Sequence, residues 1–413
     1  MDRIANRWSY SSVLMGYNFR NSYERMYLNT NGLLQFLCYN PVQGGLIDFK
    51  IRHSFFLKKL DWSRSLNSDL ALNYGFSEKR FRAQFGVNYK MDAFENRISF
   101  IKFGYAINEF SPFGLVDRFS NGLTSLFLKV NRLKMFDEKF ILMGWAQDIG
   151  YDIRFRLSLK LAERKVLDNH TDFSFGFDDK SFESNRSAGI QDSLLTINHP
   201  KLLQLSFGVR YQPGTKVWKT PLEIQKIGSK WPIFNLNLQS NYYVSEKEWA
   251  PRIDLSVRYE AGLVRWGNFI VSSYFSILPL KPLADVPERL YANGNPFIFY
   301  TQTTDPNFFR GLHIYQIIEK KRLFSMHLEH DFQGLLFDRI PGINKLGLVE
   351  LFKVSMLSTS DYRLYKEISF GLGNIGYKAF RIFRIDWVKS YYSGSASPSY
   401  IRIGMESLLN LGR

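Results

Sequence analysis

Segment after segment of this chain alternates apolar and polar residues over about ten positions, and no other feature limits its fold so strongly. In 81–90, Phe81, Ala83, Phe85, Val87 and Tyr89 share one face, while Arg82, Gln84, Gly86, Asn88 and Lys90 share the other. In 151–160, Tyr151, Ile153, Phe155, Leu157 and Leu159 oppose Asp152, Arg154, Arg156, Ser158 and Lys160. The stretches 203–212 and 252–260 repeat the pattern. Successive side chains of a strand point to opposite faces, so this period specifies strands. About sixteen such segments are expected. They lie at 31–40, 46–57, 68–77, 81–91, 96–107, 137–147, 151–163, 202–213, 233–243, 251–262, 266–276, 322–333, 346–358, 364–373, 382–392 and 399–409.

Strands of about ten residues exceed the five or six usual in a globular sheet. One face is apolar and aromatic, and the other is charged along its length. That combination fits a membrane-spanning barrel with a wet interior better than a soluble sandwich, whose turns come faster. The expected fold class is therefore all-β, a transmembrane antiparallel β-barrel of about sixteen strands with long outer loops. It would occupy residues 25–413, after a lead-in segment at 1–24.

The connections agree. Those after odd-numbered segments include three long ones, 108–136, 164–201 and 277–321, while most others are short. Outer-membrane barrels place long loops outside and short turns in the periplasm. Two inner connections run longer than expected: 214–232, rich in Lys and Pro, and 335–346, which reads as an amphipathic turn at the membrane surface. Tyr39, Tyr89, Tyr211, Trp231 and Trp387 cluster near segment ends, as interfacial girdles do.

Composition narrows the function classes. Lys plus Arg total 54 against 38 Asp plus Glu, a formal net charge of +16. The basic residues alternate with aromatics across strand faces rather than forming one stripe, so an interior lined with Arg and Lys explains the charge better than nucleic-acid binding. The single Cys38 excludes an intrachain disulfide framework and any Cys-based zinc module. No stretch is long and apolar enough for a transmembrane helix, and the first residues lack the apolar core of a signal peptide.

Several stretches resemble a family of Bacteroidota outer-membrane proteins. Members carry a carboxypeptidase-regulatory-like domain near the N-terminus and a large C-terminal region of unassigned function. The matching stretches are YNPVQGG (39–45), YGFSEKRF (74–81), HTDFSF (170–175), FGVRYQPGTK (207–216), SKWPIF (229–234), YANGNPF (291–297), HLEHDFQGLLFDRIPGINKLGLVE (327–350) and GLGNIGYKAFRIFRID (371–386). The resemblance implies an upstream signal peptide and β-sandwich, so the chain is expected to be a fragment starting just before the barrel. It implies no peptidase activity and places the chain in the Gram-negative outer membrane.

A second similarity is architectural. The assembly superfamily that includes BamA and TamA uses sixteen strands, and its sixth outer loop enters the barrel through an Arg-Gly motif. Here 277–321 falls in that slot and contains FFRGL at 308–312. The next strand puts Ser325, His327, Glu329 and Asp331 on one face. Arg310, beside Gly311, is expected to reach Glu329 or Asp331 in a charge-assisted contact.

Motifs that look chemical do not hold. GLGNIG at 371–376 matches a dinucleotide fingerprint, yet the residues after it read as strand rather than helix, so a barrel turn is the better account. HLEH spaces His327 and His330 at i and i+3, which sends them to opposite faces of a strand, whereas a zinc-protease helix needs i and i+4. Asp48, Asp152, Asp254 and Glu260 sit among Arg and Lys and read as charged ladders. No catalytic, metal or cofactor residues are expected. The expected partners are outer-membrane lipid, lipopolysaccharide and client envelope proteins, not nucleic acid. The expected role is non-enzymatic, in protein assembly or export across the outer membrane; a solute channel is the alternative, and an enzyme housed in a barrel is a third class.

Overall fold

The structure, a computed structural model, describes the chain apart from residues 1, 3–5, 34–36, 59–60, 93–94, 113, 115, 178, 188–194, 221–223, 264, 280–285, 296–298, 301–306, 361–363, 378–379, 394, 398 and 406–413. Its contacts divide into two compact units. One is residues 1–228 with 237–251 and 285–287; the other is 229–236 with 252–284 and 288–413.

In the first unit, β1 (Asn18–Asn21) and β2 (Met26–Thr30) form a hairpin. β2 pairs with one half of β4 (Gly44–Lys58), and β3 (Leu37–Asn40) pairs with the other half. Asn31 sits in the gap between them. Its amide donates to the Asp48 carbonyl at 2.6 Å and accepts from the Lys50 N–H at 2.8 Å, replacing ladder bonds the interruption removes. An antiparallel meander continues through β5 (Asp61–Gly75), β6 (Arg80–Asp92), β7 (Arg97–Glu109), β8 (Met135–Ile149), β9 (Ile153–Val166) and β10 (Lys201–Tyr211). A small separate hairpin comes after it, β11 (Lys216–Lys219) with β12 (Ile224–Gly228).

β13 (Ile233–Tyr243) and β14 (Glu248–Leu263) come next in the chain. In the second unit β14 pairs with β15 (Gly267–Ile277). The long connection after β15 holds β16 (Leu290–Tyr291), β17 (Gly294–Asn295), β18 (Phe299–Tyr300), β19 (Phe309–His313) and β20 (Ile318–Glu319). The ladder then resumes through β21 (Arg322–Asp331), β22 (Val349–Thr359), β23 (Tyr365–Tyr377) and β24 (Phe380–Tyr392). β25 (Ser395–Ala396) and β26 (Tyr400–Met405) both pair with β24.

The alternation read from the sequence governs both units. Phe81, Leu157 and Leu161 are 59%, 52% and 50% exposed, whereas Arg82, on the opposite face, is buried. In the second unit Phe383, Ile385 and Trp387 stand outward while Arg384, Asp386 and Val388 are buried between them. Large apolar groups in the open and charged groups inside are the reverse of a soluble fold and match the wall of a membrane barrel. Each of the acidic groups Asp48, Asp254 and Glu260 has a cationic neighbour, at 3.0 Å (Lys50), 2.8 Å (Arg252) and 3.5 Å (Arg258), as charged ladders require.

Some boundaries differ from the sequence reading. β5 starts at Asp61 rather than 68, and β1 lies within the lead-in 1–24. Asp152 stands in the turn before β9, not on a strand face; its carboxylate accepts the Thr215 N–H at 2.8 Å. The tight turn there uses Gly150 at φ 61°, a left-handed conformation that costs glycine nothing. GLGNIG is not a turn. It lies inside β23, where the register shifts between Leu372 and Ile375 and Asn374 takes φ 58°, so it is a bulge. Connection 214–232 contains the β11–β12 hairpin, and 335–346 forms two 3-10 turns exposing Leu336, Ile340 and Leu346. Residues 34–36 and 406–409 of the first and last expected segments lie outside the described residues.

Both long connections of the first unit are ordered by polar contacts. The helix Arg118–Leu128 starts at Asp117, whose side chain accepts the Ser120 N–H at 2.7 Å. Farther on, the Asp172 carboxylate accepts the Phe182 N–H at 2.7 Å and lies 3.4 Å from the Lys129 ammonium. These contacts hold its pKa below the ordinary carboxylate value. A depressed folded-state pKa contributes stability that is present above the unfolded pKa and lost as pH falls through the folded one. Hydrogen-exchange protection of the Phe182 amide should therefore drop on acidification below the ordinary carboxylate range, and Asp172→Asn should remove that dependence. Equal protection at neutral and acid pH would refute the assignment.

Candidate functional site

The second unit's connection between β15 and β21 folds back onto the buried face of its own sheet. The strand sequences prepare the receiving surface. On β21 the residues facing it are Leu323, Ser325, His327 and Glu329; on β22 they include Lys353, Ser355 and Leu357; on β23, Tyr365, Glu367 and Ser369; on β24, Arg384 and Asp386. Cross-strand register aligns Glu329 with Lys353, and Lys353 with Ser369.

Arg310, from β19, enters this surface and is 1% exposed. Its guanidinium donates to Glu329 at 3.0 Å and to the Ser369 hydroxyl at 2.6 Å, and stands 3.0 Å from an Asp386 oxygen. Glu367 receives the backbone instead, accepting the Arg310 and Gly311 N–H groups, each at 2.8 Å. Lys353 donates to the Phe308 carbonyl at 2.7 Å. Arg384 pairs with Asp386 at 3.0 Å. Three cations and three carboxylates thus balance within one buried cluster, the condition under which buried charge is tolerated.

Glycine at 311 is a steric requirement. A Cβ there would fall 2.1 Å from the Tyr400 hydroxyl and 2.7 Å from that of Tyr365. Gly371 does the same on the sheet side, where a Cβ would meet an Asp386 oxygen at 2.2 Å. Around the charges lies an apolar cluster in which Phe309, Leu312 and Ile317 of the connection pack with Leu323, Leu357 and Tyr365 of the sheet. Phe309 covers His327 with ring centres 4.5 Å apart.

Of the residues named from the sequence, Arg310 bonds Glu329, while Gly311 turns its N–H to Glu367. His327 lies under Phe309 and bonds Ser355 at 2.9 Å, without touching Arg310. Asp331 is not a partner of Arg310. It ends β21 and accepts the Gln333 N–H at 2.9 Å, because two residues along a strand carry it some 6–7 Å past Glu329. HLEH divides its histidines between faces, His330 bonding the Trp266 carbonyl at 2.8 Å, and no metal-binding cluster occurs among the described residues. The sequence reading missed Glu367, Ser369, Lys353, Arg384 and Asp386. Their signal was present, as charged and hydroxyl residues at even spacing on the inner faces of three strands, but nothing local joined them to residue 310.

The connection also touches the last strand. β18 pairs in parallel with β26 through Phe299–Tyr300 and Ile403–Gly404.

A model of the C-terminal domain of DUF5686, a family of unknown function, matches residues 11–372. No curated protein matches the chain. Among solved structures, CdiB from Acinetobacter baumannii is similar at 8% identity and a TM-score of 0.40, over 89% of this chain. CdiB from Escherichia coli is similar at 12% identity and a TM-score of 0.37, over 88%. The chain spans only 57% and 59% of those two CdiB chains. The outer membrane protein opdK from Pseudomonas aeruginosa is similar at 10% identity and a TM-score of 0.29, over 92% of this chain and 95% of that one.

Proposed function

We propose that this chain, which belongs to the DUF5686 family through its C-terminal domain, is an outer-membrane β-barrel that assists the assembly or export of envelope proteins without catalysing a chemical reaction. The observation that supports this reading is the Arg310 lock, a connection clamped onto the polar face by a balanced charge cluster, which suits a barrel held shut until a client engages it. The edge of β26 adds support. It is joined to β24 over Phe383–Val388 alone, and among the described residues its other side holds only the two-residue bridge to β18. A strand edge with few partners is a surface on which another extended chain can pair.

The channel reading has one observation in its favour. A cavity of about 600 Å³ on the polar face of the first unit is lined by Lys50, Arg52 and Lys102 against a single acid, Asp69. Such a lining would favour anions.

Planar-bilayer conductance of the refolded chain separates the two readings. The assembly reading expects a nearly silent wild type and large steady currents once the connection is deleted. A wild type that conducts steadily makes the chain a pore. Vesicles carrying the chain should also speed insertion of a denatured outer-membrane barrel, and no acceleration over empty vesicles would sink the assembly role.

A further inference from the structure

The helix Arg118–Leu128 is built inside out. Asn121 and Ser125 are 0% exposed and Gly122 is buried with them, whereas Phe119, Leu123 and Phe127, at i, i+4 and i+8, are 42–56% exposed. A helix facing water arranges these faces the other way. The orientation is fixed from within. The Asn121 amide donates to the Asn131 side chain at 2.7 Å and accepts the Arg132 N–H at 2.8 Å. Gly122 lies so close to β3 that a Cβ would stand 3.3 Å from the Tyr39 backbone.

The neighbouring connection extends the apolar surface. Phe175 donates its N–H to the Leu126 carbonyl at 2.8 Å and packs on Phe127 with ring centres 5.4 Å apart. Phe173 packs on Phe175 at 5.3 Å, and both are more than half exposed. Phe173 then meets Tyr39, ring to ring at 6.5 Å, and its carbonyl accepts the Tyr39 hydroxyl at 2.6 Å. Tyr39 lies opposite Gly45 in the β3–β4 ladder, on the same face as Ile47. The aromatic surface is therefore continuous with the apolar face of the sheet.

We propose that membrane lipid covers this surface, with the outward face of helix Arg118–Leu128 and the Phe173–Phe175 pair embedded among acyl chains at the rim of the barrel. The proposal rests on the barrel reading of the proposed function. Continuity with the apolar sheet face selects lipid as the occupant, since the medium that wets that face wets this surface as well. Exposed apolar and aromatic groups on a helix held to a membrane wall are the geometry of an interfacial anchor.

The test uses the full chain in phospholipid vesicles, with Cys38→Ser as background. Single cysteines replace Leu123, Phe175 and, as a sheet-face control, Leu157, and each carries a small fluorophore. The expected result is loss of emission with a lipid-borne nitroxide at Leu123 and Phe175 comparable to that at Leu157, with little loss to aqueous iodide. Iodide quenching at Leu123 and Phe175 while Leu157 answers to lipid would overturn the anchor and leave the barrel standing. Iodide quenching at all three would overturn the barrel and the anchor together. Shielding of Leu123 and Phe175 from both quenchers would mean that protein covers the surface, which also overturns the proposal. Circular dichroism of each labelled chain, matched to the parent, ensures that the comparison concerns folded protein.

Discussion

Arg310→Ala is expected to release the β19 region from the sheet and, on the function proposed above, to open a current path. The substitution removes one cation from a cluster in which three cations face three carboxylates, leaving Glu329 and Asp386 buried with less positive charge nearby. Breaking a buried pair in this way typically costs about 3–5 kcal/mol, mostly from the charge left behind. The loss should fall on docking of the connection rather than on the sheet, because the strand ladder is held by backbone bonds that do not involve Arg310. Hydrogen exchange should show lost protection at Phe309–His313, with β22 and β23 unchanged. Bilayer recordings should show the same currents as deletion of the connection. Arg310→Lys keeps the charge but cannot reach Glu329 and Ser369 as a planar fork does, so it should fall between wild type and alanine. Adding Glu329→Gln to Arg310→Ala removes one orphaned charge and should recover part of the loss, which a double-mutant cycle would measure. Full protection of Phe309–His313 in Arg310→Ala would show that the apolar contacts alone dock the segment.

Gly311→Ala is expected to have an effect of the same kind by a different cause. The new methyl would lie 2.1 Å from the Tyr400 hydroxyl and 2.7 Å from that of Tyr365. Tyr365 is 1% exposed and its hydroxyl donates to Glu367, so it has nowhere to move. Overpacking of this kind costs about 1–3 kcal/mol, and because Tyr365 cannot yield, part of it falls on backing β19 off the sheet, which would also lengthen the two N–H bonds to Glu367. Tyr400→Phe removes the nearest clashing oxygen, so it should partly rescue Gly311→Ala while changing little alone. Failure of that rescue would move the clash to Tyr365. An alanine variant as protected as wild type would show that position 311 has room.

The strand pattern was legible because period two is a local property. Phe81 and Arg82, or Trp387 and Asp386, declare their faces through their nearest neighbours, with no knowledge of the rest of the chain. The Arg310–Glu329 contact was legible for a similar reason, since the two residues are close in sequence and Glu329 stands on a face the alternation defines. Glu329 and Asp331 were left as alternatives because parity gives the face but not the depth along the strand. The bulge at GLGNIG was read as a turn because glycines mark both, and only the register across β22–β24 tells them apart.

The all-β alternation, the apolar and polar faces of each strand and the position of the long connections follow from local sequence, because each is fixed by residues a few positions apart. The assembly of the balanced cluster and the direction in which the helix Arg118–Leu128 faces arise from contacts between distant segments. Glu367, Asp386 and Arg310 lie far apart in the chain and share one buried site only through strand register. The helix shows an ordinary amphipathic spacing, and the hydrogen bonds of Asn121 and the close approach of Gly122 to Tyr39 turn its apolar side outward. An amphipathic period states that two faces differ; the medium each face meets is set by what the rest of the chain places against it.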